Sequence, residues 1–383
     1  SVTGVQTCAL PILSQHRNRA LIAGVVGLVL CVAGFVVNRD HFFRSWLVAY
    51  MLFLGIALGS TALMMIQHLS GGSWGVFRRV FEASSRTLPL LAVLFIPVVV
   101  GMSSLYPWAH PDLVQADEIL SHRAPYLNTG FWLARAVIYF VGWVTLSAVL
   151  SKLSRTQDSG DLSVNMTLQR VSGAGLVFYA ITITFAGVDW IMALNPHWYS
   201  TLFGFLMMGG QGLSALAFTV IISRALLGYE PMNGLLKPSH FADLGKLMFA
   251  FVMLWAYFSV SQLIIIWSGN LPEEIPFYLR RFSGTWGWVS VVVLIGHFVV
   301  PFAFLLSSRL KRNKTLAARV ALFILIMRAV EVSWEIAPMV RHDAHSGPNL
   351  FDFASVLGIG LVWLWMFFRN LASRPVVPAH DPY

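Results

Sequence analysis

The feature that most constrains this chain is a recurring apolar run, each long enough to cross about 30 Å of hydrocarbon at about 1.5 Å per helical residue. Ten such runs cover residues 20–37, 46–69, 88–105, 131–150, 171–194, 199–227, 244–267, 286–306, 316–339 and 350–368. Backbone groups in lipid must satisfy one another within the segment, so runs of this length read as helices. The expected fold is an all-α integral membrane protein of about ten transmembrane helices. The third run carries Pro89 and Pro97 and is predicted to kink.

Charge supports the same class. Only 11% of the 383 residues are charged and 57% are hydrophobic, against roughly 25% charged in an ordinary soluble domain. The formal charge of +9 does not describe a nucleic-acid binder, because the cations lie in short loops instead of on one basic element. The amino end, the even-numbered loops with the span ends that flank them, and the carboxyl end hold 18 Lys and Arg, Arg78, Arg79, Lys152 and Arg309 among them, and the opposite side holds six. Short cytoplasmic loops retain Lys and Arg, which predicts that both termini are cytoplasmic. The outer loops collect Asp112, Asp117, Glu118, Glu273 and Glu274, a surface that either receives other subunits or is simply solvated.

The chain divides into an amino-terminal segment (1–19), a polytopic transmembrane domain (20–368) and a cytoplasmic tail (369–383). Residues 2–12, VTGVQTCALPI, resemble the conceptual translation of a sequencing-library adapter and are set apart from the fold, with Cys8. Cys31 is the other cysteine, so neither a disulfide framework nor a cysteine-ligated cluster can come from this chain alone. Cys-x-x-Cys-His, Walker and Rossmann motifs are absent from the sequence. His342, Asp343 and His345 form a weak candidate metal site in an outer loop.

Ionisable groups inside the spans carry the most information, since each costs several kcal/mol in lipid unless it finds a partner or a wet cavity. Arg328, Glu331 and Glu335 stand at i, i+3 and i+7 of the ninth span, one stripe that must face protein. Arg135 and Asp189 lie at similar depths on the fourth and fifth spans, which predicts an ion pair with Glu335 and Glu331 leading inward. Gln211, His297 and Arg328 share a depth near the midplane, so a proton path through them stands beside plain hydrogen-bonded packing. Asp189, Trp190, His197, Trp198 and Tyr199 offer the aromatic and proton-accepting chemistry of a quinone slot, or else of an aromatic belt. Gly55-x-x-x-Gly59 and Gly209-Gly210-Gln211-Gly212 read as close-packing surfaces. Residues 188–193 and 332–337 echo each other at the ends of the fifth and ninth spans, compatible with two parallel repeats.

Several stretches resemble one family. They are Phe42-Phe43-Arg44-Ser45-Trp46 with Gly55-Ile-Ala-Leu-Gly59, Asp189-Trp190 with Pro196-His197-Trp198-Tyr199-Ser200-Thr201, Met253-Leu254-Trp255-Ala256-Tyr257, Trp267-Ser268-Gly269-Asn270-Leu271-Pro272-Glu273-Glu274-Ile275-Pro276, and the closing Arg374-Pro375 to His380-Asp381-Pro382. From about Arg39 onward the chain is similar to the second "quinone-binding" membrane subunit of alternative complex III, a bacterial quinol:cytochrome c oxidoreductase. The resemblance implies two four-helix bundles related to the polysulfide-reductase membrane subunit, plus extra helices, in a bacterial inner membrane. It implies no cofactor bound by this chain except a quinone or menaquinone, with haem c and iron–sulfur clusters in partner subunits. Those partners are a paralogous quinol-binding membrane subunit, an iron–sulfur protein and haem-c subunits, with a terminal oxidase as a further candidate. In this family the paralogous subunit is the stronger candidate for quinol oxidation, which leaves Arg135, Asp189, Arg328, Glu331 and Glu335 to proton movement or assembly. Against this expectation stand a secondary transporter, which also uses repeated bundles and buried charge, and a purely structural scaffold.

Overall fold

A computed structural model describes residues 10–229, 232–340 and 350–377, apart from the side chains of residues 10–16 and 350. Cys8, Arg341, His342, Asp343, His345 and residues 380–382 lie outside the described residues. The described chain is helical throughout and contains no strand. Ten long helical segments follow in order: α1 (Leu10–Val37), α2 (Arg39–Ser70), α3 (Ser73–Val100), α4 (Thr129–Asp158), α5 (Val164–Trp190), α6 (Phe203–Leu226), α7 (Pro238–Gly269), α8 (Gly284–Leu306), α9 (Lys314–Val340) and α10 (Leu350–Ala372).

Nine of these are long and apolar enough to cross a membrane. The exception is α9, whose 27 residues reach about 40 Å at the usual rise. Its charges, Lys314, Arg319, Arg328, Glu331 and Glu335, are what lower its apolar content. Three of them are buried, so α9 passes through the protein beside the lipid-facing helices.

Burial separates the helices into two kinds. In α2 and α6, 94% and 83% of the most apolar window is inside the protein, whereas the other spans bury 22–44%. The chain is therefore built around α2 and α6, which pack against each other. One set of four contains α2, α3, α4 and α5; the other contains α6, α7, α8 and α9. α1 and α10 pair outside these sets, and α10 also lies against α2.

Small residues allow the close contacts. A Cβ on Gly59 of α2 would stand 2.1 Å from the Gln211 carbonyl oxygen of α6, and one on Gly27 of α1 would stand 2.7 Å from Gly358 Cα of α10. Without side chains there, backbones approach and dispersion contacts accumulate along the helices. The predicted kink in α3 is present as breaks at Arg86–Thr87 and Phe95, each just before a turn with proline in its first two positions. In α8, residues Leu294–Val299 form a π-helical turn that ends just before Pro301, where the ring removes an N–H from the ladder.

Replacing Gly59 by Ala should lower the thermal midpoint of the detergent-solubilised protein, with a cost of about 1–3 kcal/mol for overpacking. Gly173→Ala is the control, because a Cβ at Gly173 meets nothing within 4 Å. Equal midpoints for the two variants would refute the close-contact account of the α2–α6 seam.

Candidate functional site

Asp189, near the end of α5, is completely buried. Arg135 of α4 grips it with two hydrogen bonds, Nε to Oδ2 and Nη2 to Oδ1, both 2.8 Å. Tyr139 donates to Oδ2 at 2.7 Å, and the Trp132 indole donates to the Asp189 carbonyl at 2.9 Å. The Arg135 guanidinium lies over the rings of Tyr126 and Phe131, 3.8 and 4.4 Å from their centroids. Both carboxylate oxygens are thus occupied by donors. Such a fork supplies the directed bonds that a desolvated pair requires.

The α9 charges form a separate cluster. Arg328 pairs with Glu331 one turn on and donates from Nε to the Ser214 hydroxyl of α6 at 3.3 Å. Gly210 makes room for it, since a Cβ there would lie 2.3 Å from the guanidinium. The Trp255 indole of α7 donates to Glu331 Oε1 at 2.9 Å, and Glu335 follows one turn on, buried like Glu331. His297 sits in the π turn of α8, fully buried, with its ring 4.2 Å from that of Trp255. Neither of its ring nitrogens has a hydrogen-bond partner among the described residues. Gln211 lines a small pocket shared with Arg328, Ser214 and Glu335, and accepts from the Tyr179 hydroxyl at 2.8 Å. The structure therefore brings His297, Arg328, Glu331, Glu335 and Gln211 into one neighbourhood. No hydrogen bond or ion pair among the described residues joins it to Arg135–Asp189.

A cleft of about 860 Å³ opens between α7 and α8, with Glu331, Trp334 and Glu335 of α9 at its back. Its remaining wall is mainly apolar, including Val260, Ile264, Val293, Leu294 and Phe298. Polar groups converge at one end. Gln262 and Tyr278 are 3.4 Å apart there, and the Trp334 indole donates to the Ser290 hydroxyl at 2.7 Å. The segment Pro276–Phe282 closes that end. Its Arg281 stacks 3.5 Å over the Phe277 ring and donates to the backbone carbonyls of Phe277, Trp334 and Glu335. An apolar cavity of several hundred Å³ with a few convergent polar groups is the usual form of a small-molecule site.

The predicted quinone slot does not assemble as one. Trp190 packs among Phe95, Phe140 and Trp143, and Trp198 stacks on Phe277 at 4.1 Å. His197 bonds Asp117 Oδ2 at 2.7 Å, and Tyr199 is exposed beside Arg123. None of these, nor Asp189, lines the cleft. The physical reason is the turn after α5, which splays neighbours in sequence onto different packing partners. Of the residues that do line the cleft, Trp255 belongs to the Met253–Tyr257 stretch of the resemblance and Trp334 to the 332–337 echo, whereas Gln262 and Tyr278 carried no signal in the sequence.

Arg78 and Arg79, expected in a loop, lie on a helix and are buried. Glu82 is the reason. It accepts from Arg79 at 2.6 Å and from Arg374 at 3.0 Å, with Arg78 at 3.3 Å. The first residues of the expected tail are thus anchored to the bundle. Among the described residues, no group of three or more His, Cys, Asp or Glu is arranged to hold a metal ion. No protein-family model and no curated protein matches the chain.

Arg135→Ala and Asp189→Ala should each cost about 3–5 kcal/mol of stability, because each strands a buried charge. The apolar double variant Arg135→Met/Asp189→Leu should cost less than the sum. Thermal unfolding of the purified chain measures this, and additive losses would contradict the coupling.

Asp117 offers a pH test outside the spans. The backbone N–H of Leu120, then His197, hold its carboxyl below the ordinary carboxylate range. The anchoring is therefore complete above the unfolded value of about 4 and is lost as pH falls through the lower folded value. Protection of the Ile119 and Leu120 amides against hydrogen exchange should drop over that acidic window, and Asp117→Asn should remove the dependence.

Proposed function

We propose that this chain is an integral membrane subunit of a respiratory quinol:cytochrome c oxidoreductase of the alternative complex III type, where it supports quinol oxidation and conducts protons. The observation that carries the reading is the α7–α8 cleft, apolar along its wall and backed by two carboxyls at its inner side. A quinone or menaquinone has matching chemistry: a polar ring to hydrogen-bond and a long isoprenoid tail to leave in lipid. The wall includes Tyr257, Val260 and Ile264, which are exposed on the side where lipid would stand.

Quinol oxidation releases two protons with two electrons. Glu331 and Glu335 stand one turn apart on α9 with Arg328 paired to Glu331, and both line the cleft, so they offer two carboxyls to the protons that a quinol would release there. Trp255 orients Glu331, and Arg281 fixes the backbone at Glu335 by binding its carbonyl. His297 and Gln211 extend the polar neighbourhood away from the cleft. Electrons would leave through haem c and iron–sulfur centres of the partners, an iron–sulfur protein, haem-c subunits and the paralogous quinol-binding membrane subunit, with a terminal oxidase downstream. The distribution of Lys and Arg supports an inner-membrane orientation with both termini in the cytoplasm.

The native assembly carrying Glu335→Gln should remain intact and retain its haem absorbance. Its quinol turnover should fall by roughly 100-fold, the usual scale for loss of a positioned proton acceptor. Val260→Trp, which narrows the mouth of the cleft, should abolish labelling by a photoreactive quinone. Purification without haem proteins, with solute uptake by the chain alone, would replace this reading by a transporter. Undiminished turnover and labelling in both variants would leave a scaffold.

A further inference from the structure

On the face where the basic loops gather, the start of α3, the end of α4 and the end of α10 converge on a second charged site. Its floor is the Glu82 network: Arg79 bridges Glu82 and Asp158, the latter at 2.5 Å, and Arg374 reaches Glu82 and the Ser151 hydroxyl. Arg78 adds a fourth member beside Gln157. A small pocket opens here, lined by Arg79, Arg86, Asn370 and Arg374 among others.

Three more guanidinium groups belong to this region: Arg86 in the wall of the pocket, and Arg155 and Arg369 on the exposed surface beside it. Arg86 donates only to the Ser373 hydroxyl, at 3.0 Å, and Arg155 and Arg369 stand close enough to repel it. Arg369 rests on the Trp365 ring at 5.8 Å. None of the three makes an ion pair among the described residues, while Arg78, Arg79 and Arg374 already satisfy Glu82 and Asp158. Burial first, and then Arg86, Arg79 and Arg155 against the pull of Glu82, push the Arg374 guanidinium below its ordinary value. Six arginines thus face two carboxylates, an excess of four positive charges held together by the fold.

The excess is only partly screened by water, since Arg86 and Arg374 are half-buried, and an anion reaching all four groups would be attracted by it. We propose that the basic surface around this pocket binds the phosphate groups of an anionic phospholipid, with a two-phosphate headgroup lying across Arg86, Arg155, Arg369 and Arg374. Guanidinium forks match phosphate oxygens in pairs, and basic pockets between helices on the positively charged side of a membrane protein suit such headgroups. Lipid is favoured over a soluble phosphate by position. The arginines sit where three spans leave the apolar zone, and Pro89 and Val93, a few residues beyond Arg86 on α3, are exposed for acyl chains to lie against.

The test uses the full chain, delipidated in neutral detergent, with native mass spectrometry and thermal midpoints as readouts. Diphosphatidylglycerol should bind and raise the midpoint, whereas phosphatidylcholine should not. R155Q and R369Q, which alter exposed side chains, should each weaken binding about fivefold, and R86Q/R155Q/R369Q about a hundredfold, from the usual contribution of a basic side chain near an anionic surface. The proposal is overturned if phosphatidylcholine stabilises equally, or if neither single variant weakens binding. Displacement of the lipid by equimolar inorganic pyrophosphate would also overturn it, by making the site one for soluble anions.

Discussion

A charge that enters hydrocarbon must bring its partner from a neighbouring helix, and this requirement organises the whole bundle. Asp189 joins α5 to α4 through Arg135; Glu331 joins α9 to α7 through Trp255, and Arg328 joins it to α6 through Ser214. At the basic face, Glu82 gathers α3, α4 and the chain after α10. Apolar side chains hold helices together only by packing in lipid, where they gain little from leaving a solvent as apolar as themselves. Directed bonds of this kind are therefore what fix which helix faces which.

The two halves of the chain use related devices for different ends. In the first, Arg135 lies on aromatic rings and closes both oxygens of Asp189, with Trp132 holding the adjoining carbonyl. In the second, Arg281 lies on Phe277 and holds the carbonyls of Trp334 and Glu335, leaving the Glu335 carboxyl beside the cleft. These sites fall on the two segments whose sequences echo each other, 188–193 and 332–337. One arrangement is saturated with donors; the other leaves a carboxyl in the lining of the cleft.

Much of the architecture is legible in the sequence because lipid imposes a simple length and composition rule. Helix number, the break in α3 and the close contact at Gly59 all follow from single residues or runs. The stripe on α9 is legible too, since i, i+3 and i+7 must share a face. The cleft is not, because its walls come from four long helices and the short helix Pro276–Phe282, and the register between helices is set by packing that no one segment encodes. Arg78 and Arg79 illustrate the opposite error. As cations at the end of an apolar run they look like orientation signals, and only the presence of Glu82 one turn further, with Asp158 brought by α4, draws them inward.

The pairing of α1 with α10 has a consequence for biogenesis. α1 leaves the ribosome long before α10, yet its glycine face is made to fit Gly358, Val362 and Phe351 of α10. Ser45 on α2 likewise donates to Asp352 at 2.6 Å. Since synthesis proceeds at roughly 5–20 residues per second, the nascent chain spends many seconds in the bilayer with those surfaces uncovered. The glycine face of α1 is therefore covered only once α10 has been made and has entered the bilayer.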